Sequence, residues 1–157
     1  MTESRMDYRK AAPDAYKAML ALEAAVRHGS LEHSLIELVK MRVSQINGCA
    51  YCLDMHSKEA RAAGETEQRL HLLPAWREAP LYTERERAAL GWAEAVTLVS
   101  VDGVADALYD EVRAQFDEKA MVELTLAVIA INGWNRLAVG FRPEVGGYVA
   151  KASGGAQ

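Results

Sequence analysis

The chain has 157 residues, half of them apolar, enough to bury a sizeable core as one domain. Its 18 basic and 22 acidic side chains leave a net charge of −4, which argues against a nucleic-acid footprint or a polybasic membrane-binding face. Residues 1–7 lack the apolar core of a secretory signal. The most apolar unbroken run, residues 126–131, is far below the roughly 20 residues needed to span a bilayer, so a soluble, cytoplasmic protein is expected.

No segment alternates apolar and polar residues between turn signals, so the expected fold class is all-α, a single-domain helical bundle. Pro13 suits a helix N-terminus, and Tyr16, Met19, Leu20, Leu22 and Val26 carry apolar character to a stop at Gly29. Ser34 and Glu37 then have capping-box spacing, with Ser30 an equally good start. Leu31, Leu35, Ile36, Leu38, Val39, Val43 and Ile46 share one broad face before Asn47-Gly48 ends the helix. Glu37 lies opposite that stripe with Lys40 and Ser44, on the face that a helical wheel assigns to solvent. A third helix over 49–63 starts at a cysteine pair and stops at Gly64. Thr66 caps a short helix that Pro74 limits, and Thr83 with Glu86 makes a capping box for 84–99. Asp102 or Gly103 opens a helix to about Phe116. Asp117 caps the last helix, to about Val139, which is apolar on nearly every side and belongs in the core or between subunits. Residues 1–151 form the expected domain, and the Gly- and Ala-rich 152–157 a disordered tail.

Both cysteines fall in one short run, Gly48-Cys49-Ala50-Tyr51-Cys52, with His56 one turn beyond. At about 100° per helical residue, Cys49, Cys52 and His56 share a narrow arc. Two thiols that close can form a disulfide or bind a metal, and a histidine on the next turn can take a thiol proton or stabilise a thiolate. The orphan N–H groups of a helix start favour a thiolate at Cys49, and Gly48 lets the backbone turn sharply into the helix. In a reducing compartment a paired motif is catalytic or metal-binding rather than a staple. Zinc usually wants four ligands, and His28, His33 and His71 form no second cluster, so no metal and no cofactor is expected. Asp54 and Tyr51 lie off the cysteine arc and read as a solvated charge and a packing residue.

The run Glu37-(eleven residues)-Cys49-Ala50-Tyr51-Cys52-(three residues)-His56 resembles the core motif of the alkylhydroperoxidase D family, part of the wider carboxymuconolactone decarboxylase-like superfamily. The later run Ile131-Asn132-Gly133-Trp134-Asn135-Arg136-Leu137 resembles a second signature of that group, and the resemblance covers residues 15–145. It implies thiol-dependent peroxidase chemistry in which Glu37, Cys49, Cys52 and His56 form a proton-relay site. Where characterised members carry a histidine just before the second cysteine, this chain has Tyr51. The decarboxylases proper resemble it in fold but lack the cysteine pair. Trp134 also fits a plain core role, and Asn135 and Arg136 fit helix capping or an intersubunit ion pair.

The expected function is reduction of a hydroperoxide to an alcohol. Cys52 attacks, Cys49 resolves to a disulfide, and Glu37 and His56 act as base and relay. The resemblance implies a lipoyl-bearing or thioredoxin-like dithiol reductant and assembly as a homotrimer or homohexamer. The apolar last helix and Trp76, Trp92 and Trp134 suit such an assembly. The alternatives are a redox-responsive dithiol binding or sensor protein without efficient turnover, and a decarboxylase-type lyase with incidental cysteines.

Overall fold

The computed structural model describes residues 4–150, and all regular structure among them is helical. In chain order the elements are α1 (Tyr8–Ala11), α2 (Pro13–Arg27), α3 (His33–Ile46), α4 (Ala50–Ala62) and α5 (Glu67–Leu72). A 3₁₀ turn (Leu73–Ala75) follows, then α6 (Glu84–Thr97), α7 (Val99–Asp102), α8 (Asp106–Gln115) and α9 (Glu118–Phe141). The tail expected over 152–157 lies outside the described residues.

Helix α3 is the hub, packing on α4, α6 and α9, while α9 also packs on α2. Val39 and Val43 of α3 meet Ala127, Val128 and Ile131 of α9 in the main core. Leu38 and Met41, on the other edge of α3, join Ala60, Leu70, Leu73, Trp76 and Leu90 in a second cluster. By length and composition alone α9 could cross a membrane, but its inner face is spent on this core. Its outer face leaves Val122, Ile129 and Val139 exposed.

Where the helix signals are local, sequence and structure agree. Pro13 opens α2, Thr66 caps α5, Asp117 caps α9, and both bonds of the Thr83–Glu86 capping box are present. Two starts differ. Neither Ser30 nor Ser34 caps α3: its N-cap is Glu32, with no side-chain cap bond. Ser30 is drawn into a tertiary contact, giving its N–H and hydroxyl to Glu123 of α9 at 2.8 and 2.5 Å. The helix expected from Asp102 or Gly103 begins only at Asp106, because α7 ends at Asp102 and Gly103 breaks the path with φ of 64°. Helix α1, with its side-chain cap at Asp7, is too short to show a period in sequence.

Candidate active site

The cysteine turn is built by Gly48, which adopts φ of 63°, and by Cys49, which serves as the N-cap of α4. The Cys49 sulfur accepts the Cys52 backbone N–H at 3.4 Å. Cys52 and His56 follow on successive turns of the same face. Both sulfurs and the imidazole are buried.

Glu37 overturns the helical-wheel reading. Helix α4 lies across the polar side of α3, so Glu37 and Lys40 are each 1% exposed and Ser44 is fully enclosed. The shelter comes from α4 of the same chain and needs no neighbouring subunit. His56 Nδ1 stands 3.0 Å from Glu37 Oε2 and 3.4 Å from Glu59 Oε2, one proton donor between two carboxylates. Glu37 Oε1 has no hydrogen-bond partner among the described residues; Lys40 Nζ lies 4.0 Å away and His33 Nε2 3.8 Å. Lys40 bonds Glu23 of α2, whose other oxygen accepts the indole N–H of Trp134 at 3.1 Å. Glu59 also accepts the Tyr148 hydroxyl at 2.5 Å. A polar chain thus runs from α9 through α2, α3 and α4 to the segment after α9.

Breaking a buried ion pair at one end leaves the other charge uncompensated, which typically costs about 3–5 kcal/mol. Lys40→Met is therefore expected to lower stability by roughly 3 kcal/mol, the low end because Glu23 keeps some solvent contact. Adding Glu23→Gln should recover part of the loss. Urea unfolding of both variants checks this; an unchanged midpoint in Lys40→Met would show the lysine to be idle.

The electrostatics separate the two sulfurs. A hydrogen bond from Cys52 lowers the Cys49 thiol to about 7, against the opposing effect of burial. The Cys52 backbone N–H and Asn135 lower it further. Cys52 is pushed up, by donating to Cys49 and then by burial. The pair therefore gives up its first proton from Cys49 and keeps the second on Cys52. Burial alone would lower the pKa of His56, but the bonds to Glu37 and Glu59 outweigh it and raise the value. Glu59 falls to about 2, chiefly through His56.

Asn135, for which the sequence offered only capping or an intersubunit contact, is buried beneath the cysteine turn. Its amide donates to Ser44 Oγ at 3.0 Å and accepts from Asn47 at 2.9 Å. Arg136 instead bonds back to Asn132 within α9. Asp54 is paired with Lys58. Glu59 escaped the sequence reading, although it continues the arc of Cys49, Cys52 and His56 by one more turn. Glu37, His56 and Glu59 have ligand atoms within 4.8 Å of one another and could together offer two oxygens and a nitrogen to a cation.

A cavity of about 190 Å³ opens onto Cys52 and His56. Its wall is aromatic, with Tyr16 set edge-on to both Tyr8 and Trp134 at ring separations of 6.1 and 5.8 Å. Tyr51 both packs on the core and lines this cavity beside Cys52. Cys49 lies behind, outside the lining.

The carboxymuconolactone decarboxylase family model matches residues 13–95, over half of the chain. The uncharacterized protein YdfG of Bacillus subtilis (strain 168) is 44% identical over 135 residues, which covers 86% of this chain and 92% of that one. Among solved structures, ATU0492 of Agrobacterium tumefaciens superposes with a TM-score of 0.89 at 49% identity, covering 93% of this chain and 100% of the other. It is a protein of unknown function, proposed to be the antioxidant defence protein AhpD. The debrominase Bmp8 shares the fold at a TM-score of 0.78 and 22% identity, over 88% of this chain and 74% of its own, so the fold hosts more than one chemistry. By the family match and these relatives, the chain belongs to the carboxymuconolactone decarboxylase family, among its AhpD-like members.

Proposed function

We propose that this protein is a thiol-dependent peroxidase of the cytoplasm that reduces an organic hydroperoxide to its alcohol through a Cys49/Cys52 dithiol–disulfide cycle. The observation that carries the reading is the meeting of Cys52, His56 and Glu59 at one largely aromatic cavity, with Cys49 hydrogen-bonded to Cys52 and Glu37 to His56 behind them. Cys49 is the better thiolate, but Cys52 faces the cavity. The bond from the Cys52 thiol to Cys49 reconciles the two. As the hydroperoxide arrives, the proton slides from Cys52 to Cys49 and the negative charge moves to the sulfur in the cavity.

Cys52 then attacks the terminal peroxide oxygen; the S–O bond forms as the O–O bond breaks. The departing alkoxide takes a proton from His56, whose raised pKa keeps one available, and leaves as the alcohol. Cys52 is now a sulfenic acid. Cys49 attacks it, the S–S bond forms, and the hydroxyl leaves with the Cys49 proton as water. An external dithiol, lipoyl-bearing or thioredoxin-like, restores both thiols and is itself oxidised to a disulfide. His56 regains its proton from solvent.

On exposure to one equivalent of hydroperoxide the protein is expected to lose two hydrogens per chain by mass spectrometry, reversibly with a dithiol. One sulfinic acid and one free thiol would remove Cys49 from the resolving role. Oxidation without steady-state turnover would make this a redox-responsive dithiol protein instead.

We place the assembly as a homotrimer or homohexamer. The exposed Val122, Ile129 and Val139 on the outer face of α9, with Val99 and Val101 of α7, support a contact between copies. Trp76 and Trp92 do not contribute, since both are buried within the chain. Light scattering at micromolar concentration should give three or six times the chain mass of 17.2 kDa; a mass of 17.2 kDa would refute it.

A further inference from the structure

The cavity over Cys52 has a polarity that the chemistry does not use. Its acidic groups are already engaged: Glu23 accepts from Lys40 and Trp134, and Glu59 from His56 and the Tyr148 hydroxyl. Its remaining formal charge is Arg27, the last residue of α2, which contributes to the lining. Among the described residues the Arg27 guanidinium makes no hydrogen bond or ion pair; its charge is felt by Glu59 and Tyr148. Five N–H donors in a planar fork therefore stand at an aromatic cavity with a reactive sulfur in its lining. At about 190 Å³ the space is below the roughly 300–1,000 Å³ of sites for drug-sized ligands, which suits one ring or a short chain.

We propose that the site takes a small aromatic or branched hydroperoxide that also carries a carboxylate, with the carboxylate held by Arg27 and the peroxide turned toward Cys52. The proposal rests on the peroxidase reading and names the substrate class of that site. The ring packs against Tyr16 and Trp134. The anion meets a planar guanidinium able to bind both of its oxygens. A neutral alkyl hydroperoxide would leave those donors to water and gain only the apolar contact. A long acyl chain would exceed the space.

Two measurements on the intact protein test this, one with chemistry and one without. The binding probes are 4-isopropylbenzoate and its neutral amide, 4-isopropylbenzamide, read through the fluorescence of Trp134, which lines the cavity. Hydrogen bonds to a charged group predict that the wild type binds the carboxylate about 10-fold or more tightly than the amide. Arg27→Gln should remove that preference, and Arg27→Lys should keep part of it. Arg27 is exposed at a helix end, so both variants should fold. The kinetic arm compares kcat/KM for cumene hydroperoxide with that for its 4-carboxylate, and the same ratio should appear and vanish with Arg27. Equal binding of the two probes by the wild type, or a carboxylate preference that survives Arg27→Gln, would overturn the proposal. So would an equal loss of kcat/KM for both hydroperoxides in Arg27→Gln. A carboxylate preference in binding, with neither hydroperoxide turned over, would leave the anion site standing and sink the peroxidase reading alone.

Discussion

Cys52→Ser is expected to abolish hydroperoxide turnover, lowering kcat/KM by about 10³-fold or more, as loss of a catalytic nucleophile does. Of the two sulfurs, Cys52 is the one that lines the cavity, and no other thiol in the chain can replace it. The serine hydroxyl can still donate to Cys49, so the neighbouring thiolate should survive. Its ultraviolet absorbance should titrate in the wild type with a midpoint at about pH 7, and in the variant still below an ordinary thiol. That titration shows that the site is folded while the chemistry is gone. Cys49→Ser behaves differently: Cys52 still reacts once and stops at the sulfenic acid. Stopped-flow single turnover separates the two, and a Cys52→Ser protein that forms a sulfenic acid while Cys49→Ser stays unreactive would reverse the assignment of roles.

Glu37→Gln should slow the reaction by about 10²–10⁴-fold, the usual worth of a positioned acid or base. In the proposed mechanism the carboxylate acts through its bond to His56 and not on the peroxide itself, so the loss is that of the His56 proton donor. With Glu37 neutral, one of the two bonds that raise the His56 pKa loses its charge while burial still opposes the imidazolium. The His56 pKa should fall, and the alkaline limb of the pH–rate profile, where the imidazolium loses the proton it donates, should move to lower pH with it. The stability effect has a definite sign. A histidine whose folded pKa is raised contributes stability fully present below its unfolded value, about 6.5, and lost as pH rises through the folded value. Glu37→Gln should shrink that contribution below pH 6.5. Proton NMR of the imidazole follows the titration, and an unchanged rate together with an unchanged pKa would reduce Glu37 to a packing element.

The residues legible in sequence were those whose signal is carried within a few positions. Thr83 and Glu86, Thr66 and Asp117 mark helix starts because a cap bond spans only three residues. Cys49, Cys52 and His56 share a face because the helical period alone puts them there. Ser30 misled because its hydroxyl is claimed by Glu123, 93 positions away, a contact that no local rule contains. The face bearing Glu37, Lys40 and Ser44 misled for a deeper reason. A helical wheel sorts residues by their own polarity, and cannot see that α4 and α2 bring His56 and Glu23 to neutralise them. Only the motif spacing tied Glu37 to the cysteines. Glu59 was within reach, since it extends the arc by three positions, but an acidic residue on a helix is so often solvated that the period alone does not single it out.

The sulfur of Cys49 has a second duty whose cost falls due during the reaction. As the N-cap of α4 it holds the Cys52 N–H, and as a thiolate it is a stronger acceptor than a neutral sulfur. When it enters a disulfide, that charge is gone and the cap weakens. Oxidation in the proposed cycle would thus slacken the first turn of the helix that carries Tyr51 at the cavity wall. In the proposed cycle a dithiol reductant, a bulkier visitor than a hydroperoxide, would then meet a doorway loosened by the very oxidation it comes to repair.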